Sequence, residues 1–131
     1  MIELTLPYPV SANIYWRNFR GRAVLSAEAK AYKRHAALLA RSLGVDSPLS
    51  CNVSLSVVLC PKTTKTGAAS RVRLDLDNCL KVAIDALNGV TYMDDAQIVE
   101  IIAAVGQPVN GGALQVFVSQ SKGGANGRAI L

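Results

Sequence analysis

The chain has 131 residues, half of them apolar and 18% charged. That is the length of one domain with enough apolar surface for a core, which excludes a mostly disordered chain. Net charge is +5, from 14 basic and 9 acidic residues, so the surface favours anionic partners over cationic ones.

In chain order, residues 2–6 alternate, with Ile2, Leu4 and Leu6 against Glu3 and Thr5, and this predicts a strand ended by Pro7 and Pro9. Residues 11–22 read as a loop that mixes Tyr15, Trp16 and Phe19 with Arg17, Arg20 and Arg22, followed by a short strand over 23–25. Ser26 suits a helix N-cap and Glu28 the positive end of the dipole. The helix is expected to run to about Leu43, with Gly44 at its end. Tyr32, Ala36, Leu39 and Leu43 form its apolar stripe; Lys30, Lys33, Arg34 and Arg41 fall on the other side. That basic side fits either an ordinary solvated face or direct phosphate contact.

Residues 51–59 alternate Val53, Leu55, Val57 and Leu59 with Asn52, Ser54 and Ser56, which predicts a half-buried strand. Residues 61–73 are rich in Gly, Ala, Ser and Thr and are expected to stay a mobile loop. A second helix is expected over 76–88, stopped by Gly89, with Leu80, Ala83, Ile84 and Leu87 as its stripe. Residues 96–105 and 113–119 read as two strands that can pair as a hairpin, and residues 121–131 as a loose tail. The sum is an α+β domain over residues 1–120: a mixed, largely antiparallel sheet with two main helices.

The charges are not evenly spread. Residues 1–73 hold 11 basic and 3 acidic residues, residues 74–100 hold one basic and six acidic, and residues 101–131 add two basic. A basic body suits phosphates and a compact acidic cluster suits divalent cations, the combination a nuclease needs. The pattern is Asp75-Leu76-Asp77-Asn78, then Lys81, then Asp94-Asp95. In an extended approach to the helix, Asp75 and Asp77 would point to one side, and a third carboxylate can arrive from the turn after it. Such oxygen donors, with no histidine or thiolate nearby, favour Mg²⁺ or Mn²⁺ over Zn²⁺. Lys81 stands where its ammonium could stabilise charge on phosphoryl oxygens. Each acid also has a plain structural explanation. These are helix capping, an i, i+4, i+8 ion-pair ladder through Asp77, Lys81 and Asp85, and turn chemistry at Asp94-Asp95.

The cysteines, Cys51, Cys60 and Cys79, are odd in number and form no Cys-x-x-Cys, and His35 is the one histidine. A zinc site is therefore not expected, and a reducing, cytoplasmic setting is. No apolar run approaches the roughly 20 residues of a membrane span. Glu3 and the lack of a basic n-region predict no secretory signal.

Asp75-Leu-Asp77-Asn78-x-x-Lys81-x-x-x-Asp85-Ala-Leu87, with Asp94-Asp95-x-Gln97-Ile98-Val99, resembles the RusA family of Holliday junction resolvases of bacteria and phages. The opening Leu6-Pro7-x-Pro9-x-Ser11-x-Asn13-x-Tyr15-x-Arg17 and Ser26-Ala27-Glu28-x-x-x-Tyr32 are similar as well. The resemblance covers about residues 4–118. It implies a Mg²⁺-dependent endonuclease acting on four-way DNA junctions as a homodimer. Its catalytic carboxylates would be Asp75, Asp77 and Asp95, its catalytic lysine Lys81, and Asp94 would assist as a metal ligand. Two symmetric nicks need two equivalent sites, which a two-fold dimer supplies. Arg17, Arg20, Arg22, Lys62, Lys65, Arg71 and Arg73 are candidate DNA contacts, and Trp16 or Phe19 could stack on unpaired bases or anchor its loop. A junction-binding module without catalysis is the alternative. A phosphohydrolase of small substrates is disfavoured by the missing Gly-rich phosphate cradle.

Overall fold

The computed structural model describes residues 1–121. In chain order the elements are β1 (Ile2–Leu6), α1 (Ala12–Tyr15), β2 (Trp16–Phe19), β3 (Arg22–Leu25), α2 (Ala27–Ser42), β4 (Val53–Cys60), α3 (Leu76–Leu87), a 3₁₀ turn (Asp95–Gln97), β5 (Ile98–Val105) and β6 (Ala113–Gln120). The alternation of β4 is realised: Val53, Leu55, Val57 and Leu59 are buried and Ser54 and Ser56 half-buried on the opposite face.

Four strands form one sheet in the order β1-β6-β4-β5. The β1–β6 and β6–β4 pairs are antiparallel and β4–β5 is parallel. The α+β class therefore holds, but the expected β5–β6 hairpin does not form: these two strands flank β4 on opposite sides. Their patterns explain the placement. β6 alternates and buries Leu114, Val116 and Val118, so it fills an interior position. β5 reads IVEIIAAV, without alternation, and takes the edge. Its route back beside β4 needs a crossover, and α3 is that crossover.

The helices pack the inward residues of the sheet. Ser26 Oγ accepts from the Ala29 amide at 3.0 Å, as its N-cap role predicts. The stripe of α2 is turned from the expected one: Ala29, Tyr32, Ala36 and Ala40 are buried, while Leu43 is exposed. On α3, Cys79, Val82, Ala83, Ala86 and Leu87 are buried. This cover stops short of the sheet edge, so Ile101, paired with the buried Leu55, stays 45% exposed, while Ile102 is 56% exposed on the opposite face with Ser56.

Two loop expectations are corrected. Residues 11–25 fold as α1 and a β2–β3 hairpin whose two turn residues, Arg20 and Gly21, both have positive φ, 54° and 76°. That is the backbone a two-residue hairpin turn requires, and Gly21 supplies half of it without a Cβ. Residues 61–73 close on themselves: the Thr64 amide donates to Ala68 O at 2.8 Å and the Ser70 amide to Lys62 O at 2.8 Å. The expected tail lies outside the described residues except for Ser121, whose amide donates to Asn52 O at 2.8 Å. Among the described residues no helix is long and apolar enough to cross a membrane.

Three tyrosines sit inside this core. Tyr32 donates to Pro7 O and Tyr92 to Ile84 O, each at 2.7 Å, and Tyr15 donates to the Asp85 carboxylate at 2.5 Å. Burial holds all three hydroxyls above their ordinary pKa of 10.0, helped at Tyr15 by the Asp85 charge. The unfolded chain therefore ionises them first. Their contribution is complete below pH 10 and is lost as pH rises beyond it, at about 1.4 kcal/mol per pH unit for each group. Urea melts should thus show stability falling steeply from pH 10 upward, with phenolate absorbance appearing together with unfolding. Phenolate formation by these three groups in the still-folded protein would contradict the account.

Candidate active site

Helix α3 carries most of the acidic cluster. Asp75 occupies its N-cap with φ −68° and ψ 152°, yet its carboxylate makes no capping hydrogen bond. Asp77 lies in the first turn, where the helix dipole favours an anion. Lys81 follows one turn later. All three are exposed, and none has a hydrogen bond or ion pair among the described residues. The structural explanations from capping and from an ion-pair ladder are therefore not realised at these positions.

Beside this stretch lies an open cavity of about 270 Å³ lined by Trp16, Lys81, Ile84, Asp85 and Asp95. Its walls are braced from the core. Tyr15 holds the Asp85 carboxylate and meets Trp16 edge to face, with ring centroids 4.6 Å apart. Lys33 reaches over from α2, donating to the carbonyls of Asp85 at 2.6 Å and Asn88 at 2.8 Å. It thereby satisfies the carbonyl end of α3, where a cation is favoured. Burial lowers the Lys33 pKa while the Asp85 charge opposes that shift. The charges of Asp95 and Asp85 both add to the upward shift that burial imposes on Tyr92.

Asp94 and Asp95 stand in the turn that leads into β5. The Asp94 carboxylate accepts from the Ala96 amide at 3.2 Å, so Asp94 caps the 3₁₀ turn. Asp95, one residue on, is exposed and free of such bonds among the described residues. Gln97 fixes the turn with its whole amide. Its Oε1 accepts from the Met93 and Asp94 amides at 2.9 and 2.8 Å, and its Nε2 donates to Leu49 O and Cys51 O at 2.8 and 2.7 Å. Sequence pattern gives Tyr15 and Gln97 no role of their own, although both lie within the motifs that resemble the family. It places Asp85 in an ion-pair ladder and Lys33 on an outer basic face, whereas Asp85 pairs with Tyr15 and Lys33 with the carbonyls of Asp85 and Asn88.

The structure thus brings Lys81 and Asp95 to one cavity and leaves Asp75 and Asp77 at the mouth of α3, outside its lining. Among the described residues no three His, Cys, Asp or Glu side chains stand close enough together to hold a metal ion. Asp77 is already helical, so it and Asp75 do not share the one-sided geometry of an extended segment. In donor chemistry the set still fits a hard divalent ion: Asp75, Asp77 and Asp95 are carboxylates with free oxygens and no competing partner among the described residues.

The candidate DNA contacts surround this region. Arg17, Arg20 and Arg22 are exposed on the β2–β3 hairpin, whose first residue, Trp16, lines the cavity. Phe19 is 57% exposed beneath the Arg20 guanidinium, 5.2 Å from its ring. Lys62, Lys65, Arg71 and Arg73 are exposed on the segment that runs into Asp75. That segment is pinned by Tyr8, which accepts from the Leu74 amide at 2.9 Å and carries the Lys62 ammonium 5.0 Å above its ring. Asn78 Oδ1 accepts from the Ala12 amide at 2.8 Å and so ties α1 to the start of α3.

The acidic helix mouth and the lysine one turn on thus leave carboxylates and an ammonium unspent in a basic body. Residues 7–119 match the family described as endodeoxyribonuclease RusA. The chain is 33% identical over 119 residues to the crossover junction endodeoxyribonuclease RusA of Escherichia coli K12, covering 90% of this chain and 93% of that protein. The proteins of that name from Shigella sonnei and Enterobacteria phage 82 are each 32% identical over the same shares. The chain belongs to the RusA family.

Gln97→Ala removes four hydrogen bonds around the turn that presents Asp95. At about 0.5–1.5 kcal/mol each, the loss should be at least about 2 kcal/mol in urea melts. Unchanged stability would show that the turn holds itself.

Proposed function

We propose that this chain is a structure-selective DNA endonuclease that resolves four-way junctions by paired symmetric nicks. It would act as a homodimer in the cytoplasm of a bacterium or of a phage-infected cell. The observation that carries this reading is the set Asp75, Asp77, Lys81 and Asp95: exposed, charged, and without partners among the described residues, inside a basic body. Acids that neither cap nor pair cost affinity for a polyanion, so a binding module without chemistry has no use for them. The names of the relatives support the substrate class.

The roles follow from chemistry. Asp75, Asp77 and Asp95 would hold Mg²⁺, with Mn²⁺ as a substitute, and the bound ion would supply water activation and charge neutralisation. Lys81 offsets charge that builds on the phosphoryl oxygens. Asp94 caps the turn through one carboxylate oxygen and would assist the metal with the other. Trp16 supplies a ring against which a base or sugar can rest. Arg17, Arg20, Arg22, Lys62, Lys65, Arg71 and Arg73 hold phosphates around the cut. Two copies related by a two-fold axis present two such sites to a junction of matching symmetry.

Asp75→Asn, Asp77→Asn and Asp95→Asn should each reduce junction cleavage at least about 100-fold while binding persists or tightens, since each removes a charge that repels phosphate. Full cleavage by all three would refute the assignment. Lys81→Ala should slow cleavage far more than it weakens binding; equal losses would make Lys81 a DNA-binding residue instead. Separately, millimolar Mg²⁺ or Mn²⁺ should raise the melting temperature of the wild type and not that of Asp75→Asn/Asp77→Asn. A melt indifferent to both ions would remove the metal from the reading.

A further inference from the structure

Helix α2 carries a second cationic feature that the site does not use. Its core direction is set by Ala29, Tyr32, Ala36 and Ala40. At about 100° per residue, Lys30, Arg34 and Arg41 fall within about 40° of one another on one flank. Lys33 lies between that flank and the core, and its ammonium is bonded to the end of α3. The stripe therefore lies on the solvent side of Lys33, about 60–100° further round α2. Arg41, at its far end, lines a cleft of about 90 Å³ with Gly89 and Val90, just past the end of α3.

All three cations are exposed, and none has a hydrogen bond or ion pair among the described residues. The acids nearby are few. Glu28 and His35 lie about 100° or more round the helix from the stripe, the 57% exposed Leu38 falls beside it between Arg34 and Arg41, and Asp46 lines the same cleft as Arg41 without pairing to it. A face built for solubility alone would intermix the two signs. Here Lys30, Arg34 and Arg41 gather one sign on one flank of the helix. From Lys30 to Arg41 the stripe covers about 16 Å of helix axis at 1.5 Å per residue. That matches about five steps of a nucleic-acid strand at 3.4 Å each.

We propose that Lys30, Arg34 and Arg41 form a phosphate track along α2 for one duplex arm of the DNA substrate, outside the loops that surround the cut. The proposal rests on the DNA-endonuclease reading and assigns it a further binding surface. The track holds backbone without reading sequence, so it governs affinity and its salt dependence and leaves the chemical step alone.

The test compares the wild type with K30Q/R34Q/R41Q, using fluorescence anisotropy on a synthetic four-way junction across a salt series. The circular dichroism melt should be unchanged, because all three side chains are exposed. Junction affinity should fall at least tenfold near physiological salt. The slope of log K against log salt should become shallower by up to about 2.7, or about 0.9 for each phosphate that is no longer neutralised. Single-turnover cleavage at saturating protein should stay at the wild-type rate. His35→Gln, off the stripe, should leave affinity and slope as they are, and R34Q alone should take about 0.9 from the slope.

Wild-type affinity and slope in the triple variant would overturn the track while leaving the nuclease reading intact. An equal loss for His35→Gln would also overturn it, since the effect would then not belong to the stripe. Should the triple variant fold poorly, R34Q and the charge-preserving K30R/R34K/R41K decide the matter: the first must lower the slope and the second must keep it. A wild type that binds no junction at all would sink both the track and the reading beneath it.

Discussion

Burial of one side of α3 is the constraint from which the charged surface follows. Cys79, Val82, Ala83, Ala86 and Leu87 lock the helix against the sheet and its neighbour α2. With that face fixed, a spacing of 3.6 residues per turn leaves Asp77 and Lys81 outside, and Asp75 is held at the helix entrance. The same packing pushes the Cys79 thiol up to about 11, so it stays protonated and inert as a small apolar filler.

The ends of α3 are then tied to parts of the chain far away in sequence. Asn78 binds the Ala12 amide at the entrance, and Lys33 caps the carbonyls of Asp85 and Asn88 at the exit. Tyr15 and Gln97 do similar work for Asp85 and for the turn bearing Asp95. Asn78, Lys33 and Gln97 are half-buried groups bonded to backbone atoms, and Tyr15 is a buried one bonded to the half-buried Asp85 carboxylate, so each fixes position. Such rigid support is what a site with mutually repelling acids needs, because a looser frame would let them drift apart.

Local rules make much of the chain legible. The alternation of β4, the Ser26 cap and the glycine after α2 and α3 can be read because each depends on neighbours within one or two turns. The acidic motif is legible too, by composition and spacing. What escapes depends on distance or on competition between segments. Adjacency favours a β5–β6 hairpin, but β6 has the better alternation and is drawn into the interior between β1 and β4. Tyr15 finds Asp85 across 70 positions and Lys33 finds Asn88 across 55, and no periodicity announces such pairs. Asp75 and Asp77 do not aim together because helix geometry begins one residue earlier than an extended approach assumes.

Strand order also governs the birth of the protein. Among the described residues the first strand, β1, pairs with β6 alone, and β4 is flanked by β5 and β6, both made after it. A chain still emerging from the ribosome therefore cannot assemble the sheet until residue 120 has cleared the exit tunnel. The helices must wait with their apolar sides unshielded. Loss of β6 would leave β1 without its partner and β4 paired on one side alone.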